Sequence, residues 1–221
     1  MTVQRDSRVT CYMCDAPAEG LEHAPPRCLF PKGRANLIQV PACAQHNQAK
    51  SRDDEYLACF LALNAEGSAV ADSLFEGSRI RSMRRRDAAL GKRVFSHARP
   101  VSTVSGHLTL AVSYEVERIS HVVGCAARAL YFHQTKNKWL HACTVVCPRM
   151  QLDSVAIEEF RRSAQMLGMI DALHNQGDSN GKVYGDHPDV VWYQVVHTRP
   201  RHPLIRLNFY GSVDFLVVGR L

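Results

Sequence analysis

Cys11-Tyr12-Met13-Cys14 and Cys43-Ala44-Gln45-His46 are two short runs, separated by 28 residues, on which the reading of this chain turns. A two-residue gap lets both side chains of a tight knuckle point at one metal ion, and two such pairs complete a tetrahedral shell of three sulfurs and one imidazole nitrogen. Zinc prefers that shell, and four protein ligands leave no place for water, so the spacing predicts a structural zinc held by Cys11, Cys14, Cys43 and His46. The text between the pairs is rich in turn formers: Pro17, Gly20, Pro25, Pro26, Pro31, Gly33 and Pro41. So short a segment, poor in long apolar periods, buries little core of its own and needs such a staple to fold.

Beyond the second pair the pattern changes. Ser51-Arg52-Asp53-Asp54 resembles a capping box, and Tyr56, Leu57, Cys59, Phe60, Leu61 and Leu63 predict a helix ending near Gly67. A second helix is expected over 68–76, then a basic stretch from Arg79 to Arg99 that is helical in part. Asp53, Asp54 and Glu55 lie in a first helical turn, where acids complement the dipole, a role preferred here to a second metal site.

The chain of 221 residues is 46% hydrophobic and 22% charged, ordinary values for a globular protein. No apolar run reaches the ~18 residues of a membrane span, and the first residues lack a signal peptide's apolar stretch. An intracellular protein is therefore expected, and its eight cysteines read as metal ligands or buried thiols rather than disulfides. Cys28 and Cys59 read as small apolar fillers; Cys143 and Cys147 share one face of an expected strand. The net charge of +6 is unevenly spread: residues 1–60 are neutral, 61–100 carry +4 and 101–221 carry +2. The basic excess thus collects in a connecting segment, as either a solvated helical face or an arm that tracks phosphates.

The remainder reads as a mixed α+β domain. Leu108, Leu110 and Val112 alternate as in a strand, and Val116, Ile119, Val123, Ala126 and Leu130 follow helical spacing over about 115–132. Trp139–Cys147 reads as a strand, and Asp153–Leu173 as a helix with Ile157, Phe160, Ala164 and Leu167 inward. A loop over 174–189 precedes strands at Val190–Thr198, Leu204–Tyr210 and Val213–Val218. The expected organisation is a zinc-stapled module over 1–64, a basic connector over 65–100 and an α+β domain over 101–221.

Between the knuckles stand Glu22-His23, followed by Pro25, and Asn36-Leu37-Ile38, seven residues before Cys43; Asn47 follows His46 directly. This order resembles the zinc-knuckle branch of the HNH (His-Me finger, ββα-metal) endonucleases, over residues 11–56. That family's pattern is C-x-x-C, an acid then His with a nearby Pro, then N-L, then C-x-x-C-N. The chain departs from it in having Glu22 for the commoner Asp, His46 for the last Cys, Asn47 for His, and Arg27–Arg34 where a glycine pair often stands.

The resemblance implies an N-terminal ββα-metal finger and an endonuclease that hydrolyses DNA phosphodiesters. His23 would be the general base, since imidazole titrates near the working pH. Asn36, on the second strand, would orient it. Glu22 and Asn47 would supply hard oxygens to a catalytic Mg²⁺ or Mn²⁺ beside the structural Zn²⁺. Lys32, Arg34, Lys50 and Arg52 flank this centre as phosphate contacts, which position a backbone without reading sequence.

Arg128-Ala129-Leu130-Tyr131-Phe132-His133, and Asn208-Phe209-Tyr210-Gly211 with Phe215, are similar to downstream parts of bacterial HNH proteins of this length. They imply no activity, and His133, Tyr131 and Trp139 read as core or rim residues. A cytoplasmic protein of bacterial or phage context fits, with the C-terminal domain free for a second copy or a protein partner. The competing expectations are a non-catalytic zinc finger that binds nucleic acid, and a protein-interaction module in which zinc only holds the fold.

Overall fold

A computed structural model describes residues 9–48, 51–65, 67–79, 91–92, 95–96, 98–102, 106, 108–147, 182–199 and 202–219. Lys50, most of the basic stretch 79–99 and the expected helix 153–173 lie outside the described residues.

The first unit is a hairpin followed by helices. Strands β1 (Gly20–His23) and β2 (Gln39–Ala42) pair antiparallel, with Gly20 opposite Ala42 and His23 opposite Gln39. A 3-10 turn at Arg27–Leu29 lies in the connection. Helix α1 (Ala44–Gln48) follows β2 after the single residue Cys43, and α2 (Ser51–Asn64) follows α1. Tyr56 to Leu61 are all buried, so α2 has no solvent face over its central turns. It stops before Gly67, whose φ of 71° suits a residue without a Cβ. Helix α3 (Ala69–Leu74) starts on an N-cap: the Ser68 hydroxyl accepts from Ala71 N–H at 3.3 Å. It widens into a π-type turn at Phe75–Arg79.

Helix α4 (Val116–Thr135) is the centre of the molecule. Val122, Val123, Gly124, Cys125, Ala126 and Ala127 are consecutive and buried, so the helix is enclosed on every side there. It packs against α2 and β2 on one side and on the C-terminal sheet on the other. The small residues Gly124, Ala126, Ala127 and Ala129 permit this close approach; a Cβ at Gly124 would stand 3.2 Å from the Cys143 sulfur. The helix runs one turn beyond the expected 132. Its end is closed by Lys136 in the left-handed region (φ 61°), whose N–H donates to the Phe132 carbonyl at 2.8 Å.

The C-terminal sheet has five antiparallel strands in the order β5-β9-β8-β7-β6: β5 Cys143–Val146, β6 Val183–His187, β7 Val191–Arg199, β8 His202–Phe209 and β9 Val213–Gly219. A separate hairpin pairs β3 (Arg99–Ser102) with β4 (Leu108–Ala111), and β3 straddles the division expected at residue 100. Among the described residues the fold is thus α+β with antiparallel sheets, and no helix is long and apolar enough to cross a membrane.

Two sequence expectations are corrected here. The strand expected over Trp139–Cys147 is confined to Cys143–Val146: Trp139 turns into the core, Leu140 is exposed, and the His141 carbonyl accepts from Arg128 instead of a strand partner. The loop expected over 174–189 contains β6. That strand pairs with β7 through its backbone around a bulge between Tyr184 and His187, so its side chains show no apolar alternation.

The N-terminal unit is tied to the sheet at several points. Tyr210 Oη donates to the buried Leu29 carbonyl at 2.7 Å. Arg34 pairs with Asp189 and reaches His187 Nδ1 at 3.3 Å, while His187 Nε2–H donates to the Ala35 carbonyl at 2.8 Å. Asp53 in the first turn of α2 holds Arg118 of α4 at 2.6 Å, a tertiary ion pair; the same guanidinium lies over the Tyr56 ring. Replacing Tyr210 by Phe removes one donor and leaves a buried carbonyl unsatisfied. We expect Tyr210→Phe to fold but to lose about 1–3 kcal/mol of stability in urea unfolding.

Candidate metal centre and hydrolytic site

The zinc-knuckle expectation meets a formed cluster. His46 Nδ1 lies 3.4 Å from Cys11 Sγ, 3.6 Å from Cys14 Sγ and 3.3 Å from Cys43 Sγ, and the Cys14 and Cys43 sulfurs are 3.8 Å apart. All four donor atoms lie within 4.8 Å of one another. Zinc–ligand distances of about 2.3 Å to sulfur and 2.0 Å to nitrogen give tetrahedron edges of about 3.5–3.8 Å. The four side chains therefore could hold one zinc ion.

The backbone prepares this geometry. The Cys43 carbonyl accepts from both His46 N–H (3.1 Å) and Asn47 N–H (3.0 Å), closing the knuckle as the first turn of α1. Cys11 N–H donates to Ala16 at 2.9 Å, Tyr12 N–H to the Pro41 carbonyl of β2 at 2.8 Å, and Met13 N–H to Cys11 Sγ at 3.4 Å. Lys138 donates to the Cys14 carbonyl at 2.7 Å and pairs with Asp15 at 2.9 Å. With zinc bound, three thiolates on a dication would leave a net charge of −1, beside which Lys138 stands while shared with Asp15. Burial, with the Arg128 and His121 charges adding, pushes the His46 imidazole below its usual range, toward the neutral form that ligates a metal.

The other predicted residues divide between the two faces of β1. Glu22 is only 6% exposed, whereas Leu21 is 56% exposed, so Gly20 and Glu22 face inward and Leu21 and His23 face out. Asn47 is on the inner side: a Cβ at Gly20 would come within 3.1 Å of its amide nitrogen. Glu22 and Asn47 thus share one face of the hairpin. That face also holds buried Tyr12, whose hydroxyl is raised by burial first and then by the Cys125, Glu22 and Cys11 charges.

His23 stands half-buried at the open end of β1. Its Nε2 accepts from the amide Nε2–H of Gln39, its partner across the hairpin, at 2.9 Å. Burial lowers its pKa, the Arg27 charge lowers it further, and Glu22 opposes both. Asn36 does not stand on the second strand, contrary to the sequence expectation. It is exposed, with φ 55°, in the turn before β2, and the strand begins only at Gln39. Asn tolerates the left-handed region better than other non-glycine residues, and that accounts for the residue at this turn.

Of the expected phosphate contacts, Lys32 and Arg52 are exposed, Arg34 is committed to Asp189 and His187, and Lys50 lies outside the described residues. Sequence reasoning missed Gln39 and Arg27. The register opposite His23 could have pointed to the first, and a position four residues after His23 to the second.

Comparison with protein-family models, with curated proteins and with solved structures finds no match to this chain.

Metal analysis of the purified chain is expected to return one zinc per molecule. Cys43→Ser should lose it and lower the melting temperature by on the order of 10 °C, since metal binding is coupled to folding of the knuckle. A metal-free Cys43→Ser protein as stable as the native chain would rule out a structural zinc.

Proposed function

We propose that the chain is an HNH-type, metal-dependent endonuclease that hydrolyses DNA phosphodiester bonds, with its zinc purely structural. The observation that carries this reading is the placement of three chemistry-bearing residues on one hairpin and the helix that follows it. Glu22 and Asn47 offer oxygens on the inner face, and His23 stands at the strand end, with α1 set against β1 by the zinc ligands.

His23 takes the proton from the attacking water. Gln39 sets which ring nitrogen does so. The Gln39 amide nitrogen faces His23 Nε2; with the amide flipped, Oε1 accepts from Nε2–H and Nδ1 keeps the lone pair that receives the proton. Glu22 and Asn47 present a carboxylate and an amide oxygen, a donor set suited to Mg²⁺ or Mn²⁺. A divalent ion there supplies charge stabilisation to the phosphate and its departing oxygen.

A second reading, a non-catalytic zinc-stapled module that binds nucleic acid, is favoured by the 6% exposure of Glu22, which a cation must reach from a covered face. Plasmid nicking with Mg²⁺ or Mn²⁺ separates the two. His23→Ala should lose about 10²–10⁴-fold in rate, the contribution of a general base. Nicking by His23→Ala at the native rate sinks the catalytic assignment, and no nicking by either protein favours the binding module.

Gln39 gives an independent check. Gln39→Glu, which only accepts at neutral pH, should retain nicking, while Gln39→Leu should lose at least about tenfold in kcat with KM little changed. Equal rates for both variants would remove Gln39 from the mechanism.

A further inference from the structure

The connection between β1 and β2 borders a cleft of about 760 Å³ that faces α3 and the turn after it. Arg27, Lys32 and Arg34 line it, together with apolar Phe30, Leu37 and Leu74; no acidic side chain lines it among the described residues. Arg34 is neutralised by Asp189. Arg27 and Lys32 are exposed, and neither makes an ion pair among the described residues. Among the described residues, two cations without an ion-pair partner therefore face one concave surface. Arg27, which lines the cleft, is four residues beyond His23, the last residue of β1.

The lining of the cleft selects its occupant. Cations beside an apolar wall suit one strand, whose phosphates meet the cations and whose bases meet the wall, whereas a duplex turns its bases inward and offers the wall nothing.

We propose that this cleft binds an extended single strand of nucleic acid, with Arg27 and Lys32 on neighbouring phosphates and the strand leading to His23. The proposal rests on the hydrolytic reading for what happens to the strand; its binding is a separate property. The lining reads no bases, so affinity should be salt-dependent and tolerant of sequence.

The test uses the full-length, zinc-loaded His23→Ala protein without added divalent ion, so that nothing is cleaved. Fluorescence anisotropy compares labelled dT12, rU12 and a 12-base-pair DNA duplex between 50 and 200 mM salt. At least one single strand should bind about tenfold or more tightly than the duplex, and the ratio of dT12 to rU12 names the sugar. Adding Arg27→Ala and Lys32→Ala should weaken strand binding. It should also flatten the slope of log K against log salt by about 1.4, two phosphates at about 0.7 each. Adding Lys136→Ala, remote from the cleft, should change neither quantity. Zinc content and the circular dichroism spectrum show that each variant is folded, and Arg27→Gln with Lys32→Gln serves if the alanine pair is not.

Duplex bound as tightly as both strands, or a slope that the paired substitution leaves unchanged, overturns the cleft. That failure is distinct from failure of the nuclease reading. An unchanged slope with nicking that depends on His23 removes the cleft alone. Strand binding that depends on Arg27 and Lys32, with nicking indifferent to His23, removes the nuclease reading alone.

Discussion

Convergence of three sulfurs and one imidazole nitrogen at the start of α1 is the constraint on which the rest of the N-terminal unit depends. The β1–β2 hairpin has only four residues in each strand and a long proline-rich connection, and a lone two-stranded hairpin is marginal in water. Cys43 lies between the last residue of β2 and the first of α1, so a metal on its sulfur would fix the angle between strand and helix. Because Asn47 follows His46, the same bond would hold the Asn47 amide against Gly20, where no side chain stands in its way. The metal-binding residues and the proposed hydrolytic residues are thus neighbours in sequence for a geometric reason: the first group orients the element that carries the second.

The hairpin unit is not independent of the C-terminal sheet. Helix α4 serves both as a core element, and its consecutive small and apolar residues can be so fully buried only because protein lies on both sides of it. Around that shared core the ties are polar and specific: Tyr210 to Leu29, His187 to Ala35, Lys138 to Cys14. Each joins the sheet or the end of α4 to a loop of the hairpin unit, the part least able to hold its own shape. The five-stranded sheet therefore acts as a platform that rigidifies the connection carrying Arg27 and Lys32.

What was legible in the sequence follows from how local each signal is. The knuckles, the helices at 51–64 and 116–135 and the long strands β7 to β9 are written in spacing and periodicity, which need no knowledge of the rest of the chain. Strand β6 was not, because a bulge and Gly185 interrupt its alternation and its place depends on β7. Nor was the side of the hairpin on which each site residue falls. Glu22 and His23 are adjacent in sequence, yet strand geometry sends one inward and the other out. Asn36 lies outside β2 for a similar reason, and hairpin register, not motif order, places Gln39 opposite His23, where the proposed mechanism gives it the orienting role.

That division across β1 has a chemical consequence. A base and a metal-binding carboxylate on successive strand residues can serve one phosphate only where the strand ends and both faces are reachable together. His23 is the last residue of β1, and the chain beyond it leaves the hairpin through Ala24 and Pro25 toward the cationic connection. In the proposed mechanism a phosphate on the side of Arg27 would meet the imidazole before the inner face, and the 6% exposure of Glu22 requires the strand end to open before a cation reaches its carboxylate. The proposed reaction thus depends on two features at one end of the hairpin, the cations of the connection and the enclosure of Glu22.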